Sequence, residues 1–273
     1  MKLQHGDWQA LFCPEQGAAF SRLQWRGRDI LVPTPEAARH PGAYGAFWML
    51  PWANRLDGGR IAGHAMRINR TAEGTAIHGL ARDLPWEVVN ATADHAVLQQ
   101  CLNVLPFDYT AQLTVTLAAD GLLMEMTLRH EGAAPAPYGM GWHPWFMRNA
   151  ATRLHLNATQ RANHSVRGLP ESLTPCAGIA TDEAGLIGLD HFFAGWDGVA
   201  RLASPAGIIT LTATGDFAAG VQVYAPVAQP IICVEPVSHM PDAPNRPVLA
   251  AAAPMRVLAQ GQSLHGTIRL SAA

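Results

Sequence analysis

Two stretches of the chain carry titratable side chains in settings suited to moving a proton. The first, Tyr138-Gly139-Met140-Gly141-Trp142-His143-Pro144-Trp145-Phe146, sets an imidazole among aromatic rings and beside glycines. Read as a strand end, it puts Gly139, Gly141, His143 and Trp145 on one face, because side chains alternate along a strand. The glycines are expected to leave a gap beside the histidine that a small polar ring would fit. The second, Ile231-Ile232-Cys233-Val234-Glu235-Pro236, is a β-branched apolar run ending in one carboxylate. Alternation groups Glu235 with Ile231 and Cys233, so a buried or partly buried acid there must find partners or take a raised pKa. Both His143 and Glu235 stand immediately before prolines, which bias them to extended backbone. In one pocket, an imidazole and a carboxyl with ordinary pKa values of ~6.5 and ~4.3 make an acid–base pair near neutral pH. A core histidine in an aromatic cluster, with a salt-bridged core glutamate, is the structural alternative.

Further candidates are Asn54 and Arg55, delivered by an aromatic-proline run just before the turn Asp57-Gly58-Gly59. His78, ahead of Gly79, sits in a loop-like context, and loops carry a large share of binding residues. In Leu189-Asp190-His191-Phe192-Phe193 a carboxylate and an imidazole precede two aromatic rings. No glycine-rich phosphate loop and no spaced His/Cys/Asp cluster is visible, so neither cofactor nor metal is expected. Ser238 beside His239 lacks the strand-turn-helix context of a nucleophile elbow.

The elements that must position these residues read as short strands: 8–13, 19–25, 29–32, 61–69, 86–91, 96–104, 109–117, 122–130, 152–158, 199–203, 207–213, 220–224, 255–259 and 264–270. In the run 109–117, Thr110, Gln112, Thr114 and Thr116 alternate with apolar residues, the pattern of a half-buried strand. Residues 34–45, rich in Pro, Gly and Ala, read as a loop, and 160–183 as loop and short helix. With no repeat and no long linker, the expectation is one all-β domain over 1–273, long enough to bury a sizeable core.

A formal net charge of -2, with no block of like charge, gives no footprint for nucleic acid or a membrane surface. The four cysteines show no CxxC pair or regular spacing, which fits a reducing compartment. The N-terminus lacks the apolar run of a signal peptide and no segment is long and apolar enough to span a bilayer, so a cytoplasmic location is expected.

The chain resembles the aldose 1-epimerase (galactose mutarotase) family. The likeness runs in order through Pro51-Trp52-Ala53-Asn54-Arg55, Ile77-His78-Gly79, Trp142-His143-Pro144-Trp145-Phe146, Leu189-Asp190, Glu235 and Pro241-Asp242-Ala243-Pro244-Asn245. It implies a large antiparallel β-sandwich of the galactose mutarotase-like supersandwich type, with a small-molecule sugar as substrate and no cofactor. It implies His143 as the acid that protonates the ring oxygen of an aldose and Glu235 as the base that takes the anomeric hydroxyl proton. His78 would assist at the ring oxygen, Arg55 and Asp190 would bind sugar hydroxyls, and Trp145 or Trp52 would pack an apolar sugar face. A monomer or a homodimer fits equally. Two departures from the family pattern, His78-Gly79-Leu80 for His-Gly-Gly and Trp145-Phe146 for Tyr-Phe, lie near the sugar and leave the acid and base in place. Two other readings stay open: a hexose-phosphate epimerase, with Arg82, Arg161 and Arg167 as candidate rim cations, and a sugar-binding or sensing protein without turnover.

Overall fold

The computed structural model describes residues 1–36 and 44–273. The loop expected over 34–45 therefore lies mostly outside the described residues. Two large antiparallel sheets dominate, as the strand-rich pattern requires. The first runs Lys2–His5, Trp8–Cys13, Ala19–Trp25, Ala46–Met49, Gly141–Pro144, Ile231–Val237, Gly220–Ala225, Leu189–Ala194, Gln160–His164 and Pro170–Pro175. The second runs Glu87–Ala91, His95–Val104, Phe107–Ala118, Gly121–His130, Ser263–Ala272, Gly207–Gly215, Val199–Ser204, Arg153–Leu156 and Ile179–Asp182.

The buried faces of both sheets contribute to one apolar cluster, so the architecture is an all-β sandwich. Phe107–Ala118 shows how the sequence enforces it. Phe107, Tyr109, Ala111, Leu113, Val115 and Leu117 are buried, while the intervening threonines and Gln112 face outward. The middle of the first sheet behaves differently. Ala46–Met49, Gly141–Pro144 and Ile231–Val237 are buried along their whole length. One face there packs Trp48 and Trp142 into the core, their rings 6.2 Å apart. The other face is left to line a cavity.

Two expectations need correction. The strand expected over 61–69 is instead a tight hairpin of Arg60–Ile61 with His64–Ala65, because Ala62 and Gly63 both take positive φ and close a two-residue turn. The segment 160–183 is mainly strand: Gln160–His164, Pro170–Pro175 and Ile179–Asp182, followed by one helical turn at Glu183–Leu186. Pro170–Pro175 and Ile179–Asp182 close the ends of the two sheets, where polar residues and proline are tolerated and apolar alternation is not required. Among the described residues, no helix is long and apolar enough to cross a membrane.

Candidate active site

The cross-strand register of the first sheet assembles the site. His143 pairs with Phe47 on one neighbouring strand. Glu235 pairs with Gln222, and Asp190 pairs with Tyr224. Residues at these positions project to one face and line a cavity of about 400 Å³, together with Arg55, His78, Arg70, Arg82 and Trp145. All five side chains singled out in the sequence, His143, Glu235, Arg55, His78 and Asp190, meet there.

His143 Nε2 stands 3.2 Å from Glu235 Oε1. Both residues are almost wholly withdrawn from water, at 5% and 2% exposure. Phe47 and Trp145 each stack on the imidazole, at 4.6 Å and 4.9 Å between centroids with interplanar angles of 22° and 23°, so it keeps a fixed plane. His78 meets it edge-on at 5.1 Å. Burial, reinforced by the Arg82 and Arg70 charges, pushes the His143 imidazole down to about 3. Burial and the neighbouring Asp190 push the Glu235 carboxyl well up, with Arg55 pulling the other way. Each member of the pair therefore resists its charged form. His143 Nδ1 and Glu235 Oε2 have no hydrogen-bond partner among the described residues.

Arg55 is held before any ligand arrives. Its Nε donates to Glu73 Oε2 at 2.8 Å and its terminal nitrogen to Oε1 at 3.4 Å, a two-point contact. Its other terminal nitrogen donates to Asn54 Oδ1 at 3.3 Å. Asp190 Oδ2 lies 3.8 Å away, and Gln222 donates to Asp190 Oδ1 at 2.6 Å. Glu73 reaches Arg55 because Arg55–Asp57 and Thr75–Ile77 pair as a small antiparallel ribbon. The ribbon ends in a strained corner. Asn54 and His78 both have positive φ, and the His78 backbone N–H donates to the Asn54 carbonyl at 3.0 Å. Gly79 follows with φ +67, where a Cβ would fall 2.0 Å from the Leu50 carbonyl oxygen, so a glycine is required. Burial, then His143 and the nearby arginines, drive His78 well below the ordinary imidazole range.

His143, Cys233 and Glu235 also bring possible metal-donor atoms within 4.8 Å of one another. Burial and the neighbouring carboxylates push the Cys233 thiol well up.

Three expectations differ from the structure. The face beside His143 is not half empty at its glycines: a Cβ on Gly139 would meet the His239 ring at 2.1 Å, and one on Gly141 would meet Met49, Val237 and Ala53. Those glycines admit protein side chains, not a ligand. Trp52 is buried in the core and stacks on Phe107 at 5.9 Å, so it cannot face a sugar, whereas Trp145 lines the cavity. Of the proposed rim arginines only Arg82 lines the cavity; Arg161 contacts Asn163 elsewhere and Arg167 is paired with Asp57. Phe47, Arg70, Glu73, Gln222 and Tyr224 went unnoticed in the sequence. Gln222 had a usable signal, a lone polar residue in the apolar run Gly220-Val221-Gln222-Val223, the same signal that marks Glu235.

The family model described as Aldose 1-epimerase matches residues 1–271. The chain belongs to the aldose 1-epimerase family. Among curated proteins, this family member is 26% identical over 265 residues to the uncharacterized protein YphB of Escherichia coli K12, covering 90% of each chain. It is 31% identical over 158 residues to the uncharacterized protein YihR of the same organism, covering 55% of this chain and 50% of that one. Its fold matches a galactose mutarotase-like protein from Clostridium acetobutylicum with a TM-score of 0.83 at 16% identity, covering 98% of this chain and 93% of that one. It also matches the GalM/aldose epimerase homologue from C. elegans with a TM-score of 0.81 at 16% identity, covering 100% and 98%. The fold is that of the galactose mutarotase-like proteins.

Proposed function

We propose that this aldose 1-epimerase family member is an isomerase that interconverts the α and β anomers of an aldose with a free anomeric hydroxyl, without a cofactor. His143 acts as acid and Glu235 as base. The observation that carries this reading is the 3.2 Å approach of His143 Nε2 to Glu235 Oε1 in the cavity. His143 gives a proton to the ring oxygen while Glu235 takes the proton of the anomeric hydroxyl, and the C1–ring oxygen bond breaks. Rotation about C1–C2 and reclosure with the two roles reversed deliver the other anomer and restore the proton inventory.

One proton on the pair is enough. Burial favours a neutral imidazole and a protonated carboxyl in the empty site. Transfer from Glu235 to His143 arms the couple without drawing on bulk solvent, once sugar hydroxyls donate hydrogen bonds to the carboxylate. His78 assists at the ring oxygen, Arg55 and Asp190 hold hydroxyls by charge-assisted hydrogen bonds, and Trp145 offers its ring to an apolar sugar face. A cytoplasmic setting fits four cysteines that are all free thiols.

The test is polarimetry of freshly dissolved α-D-glucose and α-D-galactose, and of their uronic acids, with wild type and Glu235→Gln. Wild type is expected to accelerate relaxation and Glu235→Gln to lose at least ~100-fold of that acceleration. Equal acceleration by both proteins overturns Glu235 as base.

A further inference from the structure

We infer that the sugar handled by this site carries an anionic group on the exocyclic carbon next to its ring oxygen, and that Arg70 and Arg82 receive it. The inference rests on the mutarotase reading, in which His143 and His78 meet the ring oxygen. It goes beyond that reading by naming the class of sugar.

Among the described residues, two cationic side chains of the cavity have no hydrogen-bonded carboxylate partner. Arg55 is committed to Glu73 at 2.8 Å and lies 3.8 Å from Asp190. Glu235 is engaged by His143. Two cavity-lining guanidinium groups are left over, Arg70 and Arg82. Arg82 is largely covered, its side chain 16% exposed, and its Nε has no hydrogen-bond partner among the described residues. Its closest carboxylate, Asp83, stands 3.7 Å away on a well-exposed side chain, a distance too long for a hydrogen bond. Among the described residues Arg70 makes no salt bridge, and residues 37–43 contain no Asp or Glu to supply one. A neutral sugar packed against Arg82 would give this largely covered cation no counter-charge, which is costly.

Their position says which carbon bears the anion. In a pyranose the ring oxygen is flanked by C1, whose hydroxyl goes to Glu235, and by C5, which carries C6. Cations on the histidine side, away from Glu235, therefore meet the substituent at C6. Arg82 lies on that side: its guanidinium sits 5.3 Å over the Phe47 ring, and Phe47 is stacked on His143. Arg70 lines the same cavity. A guanidinium pair suits the oxygens of a carboxylate or a phosphate, so hexuronates and hexose 6-phosphates share the required chemistry.

The test compares kcat/KM for mutarotation of D-glucose, D-glucuronate and D-glucose 6-phosphate, and of the corresponding galacto sugars, using wild type, R70Q and R82Q. Arg70 is exposed, so R70Q keeps the fold even if R82Q does not. In wild type at least one anionic sugar is expected to exceed its neutral parent by about tenfold or more, an advantage that shrinks as salt is raised. R70Q is expected to cut the anionic-to-neutral ratio several-fold, and the carboxylate and phosphate arms identify the anion. Neutral sugars turned over as well as both anionic classes, or an R70Q that lowers every sugar by the same factor, overturns the inference and leaves the mutarotase reading standing. No turnover of any sugar in the panel by wild type removes both.

Discussion

Glu235 and His143 face each other at 3.2 Å with almost no water contact, and each is held in an environment that favours its uncharged form. That relationship follows from the sheet. Glu235 is the single carboxylate in a strand buried on both faces, and His143 is fixed between two aromatic rings. A carboxylate in such a place costs stability that a purely structural role would not repay, and among the described residues Glu235 Oε2 stays without a partner.

Replacing Glu235 should therefore stabilise the protein while removing activity. The folded-state pKa of Glu235 is raised, so its contribution is fully present below the unfolded value of ~4.3 and is lost as pH rises through the folded value. Glutamine imitates the protonated acid at every pH. Thermal unfolding is expected to show Glu235→Gln matching wild type near pH 4 and exceeding it at pH 8, by roughly 1–3 kcal/mol. A variant less stable than wild type at pH 8 would mean that the carboxylate contributes to the fold.

Three histidines withdrawn wholly or partly from water set the acid limit of the fold. Burial holds His143 down to about 3 and His164 and His239 down to about 4. In the unfolded chain each takes up a proton near pH 6.5, and in the folded chain only well below that. Their folded pKa values are depressed, so the stability they contribute is present above ~6.5 and is lost as pH falls towards 4. Each contributes a slope of up to about 1.4 kcal/mol per pH unit, against which Glu235 acts in the opposite sense. Melting temperatures measured from pH 7.5 to pH 5 should fall steadily, beginning near pH 6.5, before most carboxylates titrate. A flat profile down to pH 5 would contradict the depressed pKa values of these rings.

The parts of this arrangement that could be read in the sequence are those with a local signal. A lone acid in a β-branched run and an imidazole between aromatic residues mark Glu235 and His143 without reference to the rest of the chain. The sandwich was likewise legible wherever one face is wet, as in Phe107–Ala118. Glycines were ambiguous: Gly139 reads the same beside a ligand as beside another side chain, and only the fold brings His239 into that space. Glu73 gives no signal at all. It lies in a polar turn and becomes a partner of Arg55 through the pairing of Arg55–Asp57 with Thr75–Ile77. Edge strands such as Pro170–Pro175 escaped for the reason that they are edges, where no apolar face is demanded.

The clamp on Arg55 supplies a last prediction, because two independent contacts converge on one guanidinium. Glu73 grips it from one side, and Gly168 backs it from another: a Cβ on Gly168, whose φ is +71, would fall 2.5 Å from the Arg55 Cζ. Arg167 pins the same loop by donating to the Glu73 carbonyl at 2.7 Å and pairing with Asp57. Gly168→Ala must displace the guanidinium and strains the backbone as well, whereas Glu73→Gln keeps the shape and weakens the grip. If Arg55 binds sugar hydroxyls in the ground state and the transition state alike, both variants should raise KM by roughly tenfold with kcat changed much less. Glu73→Ala should do more than Glu73→Gln, since the amide can still accept one hydrogen bond from Arg55. A fall in kcat at constant KM would assign Arg55 to the chemical step instead, and unchanged kinetics in Gly168→Ala would show that the guanidinium position is irrelevant to turnover.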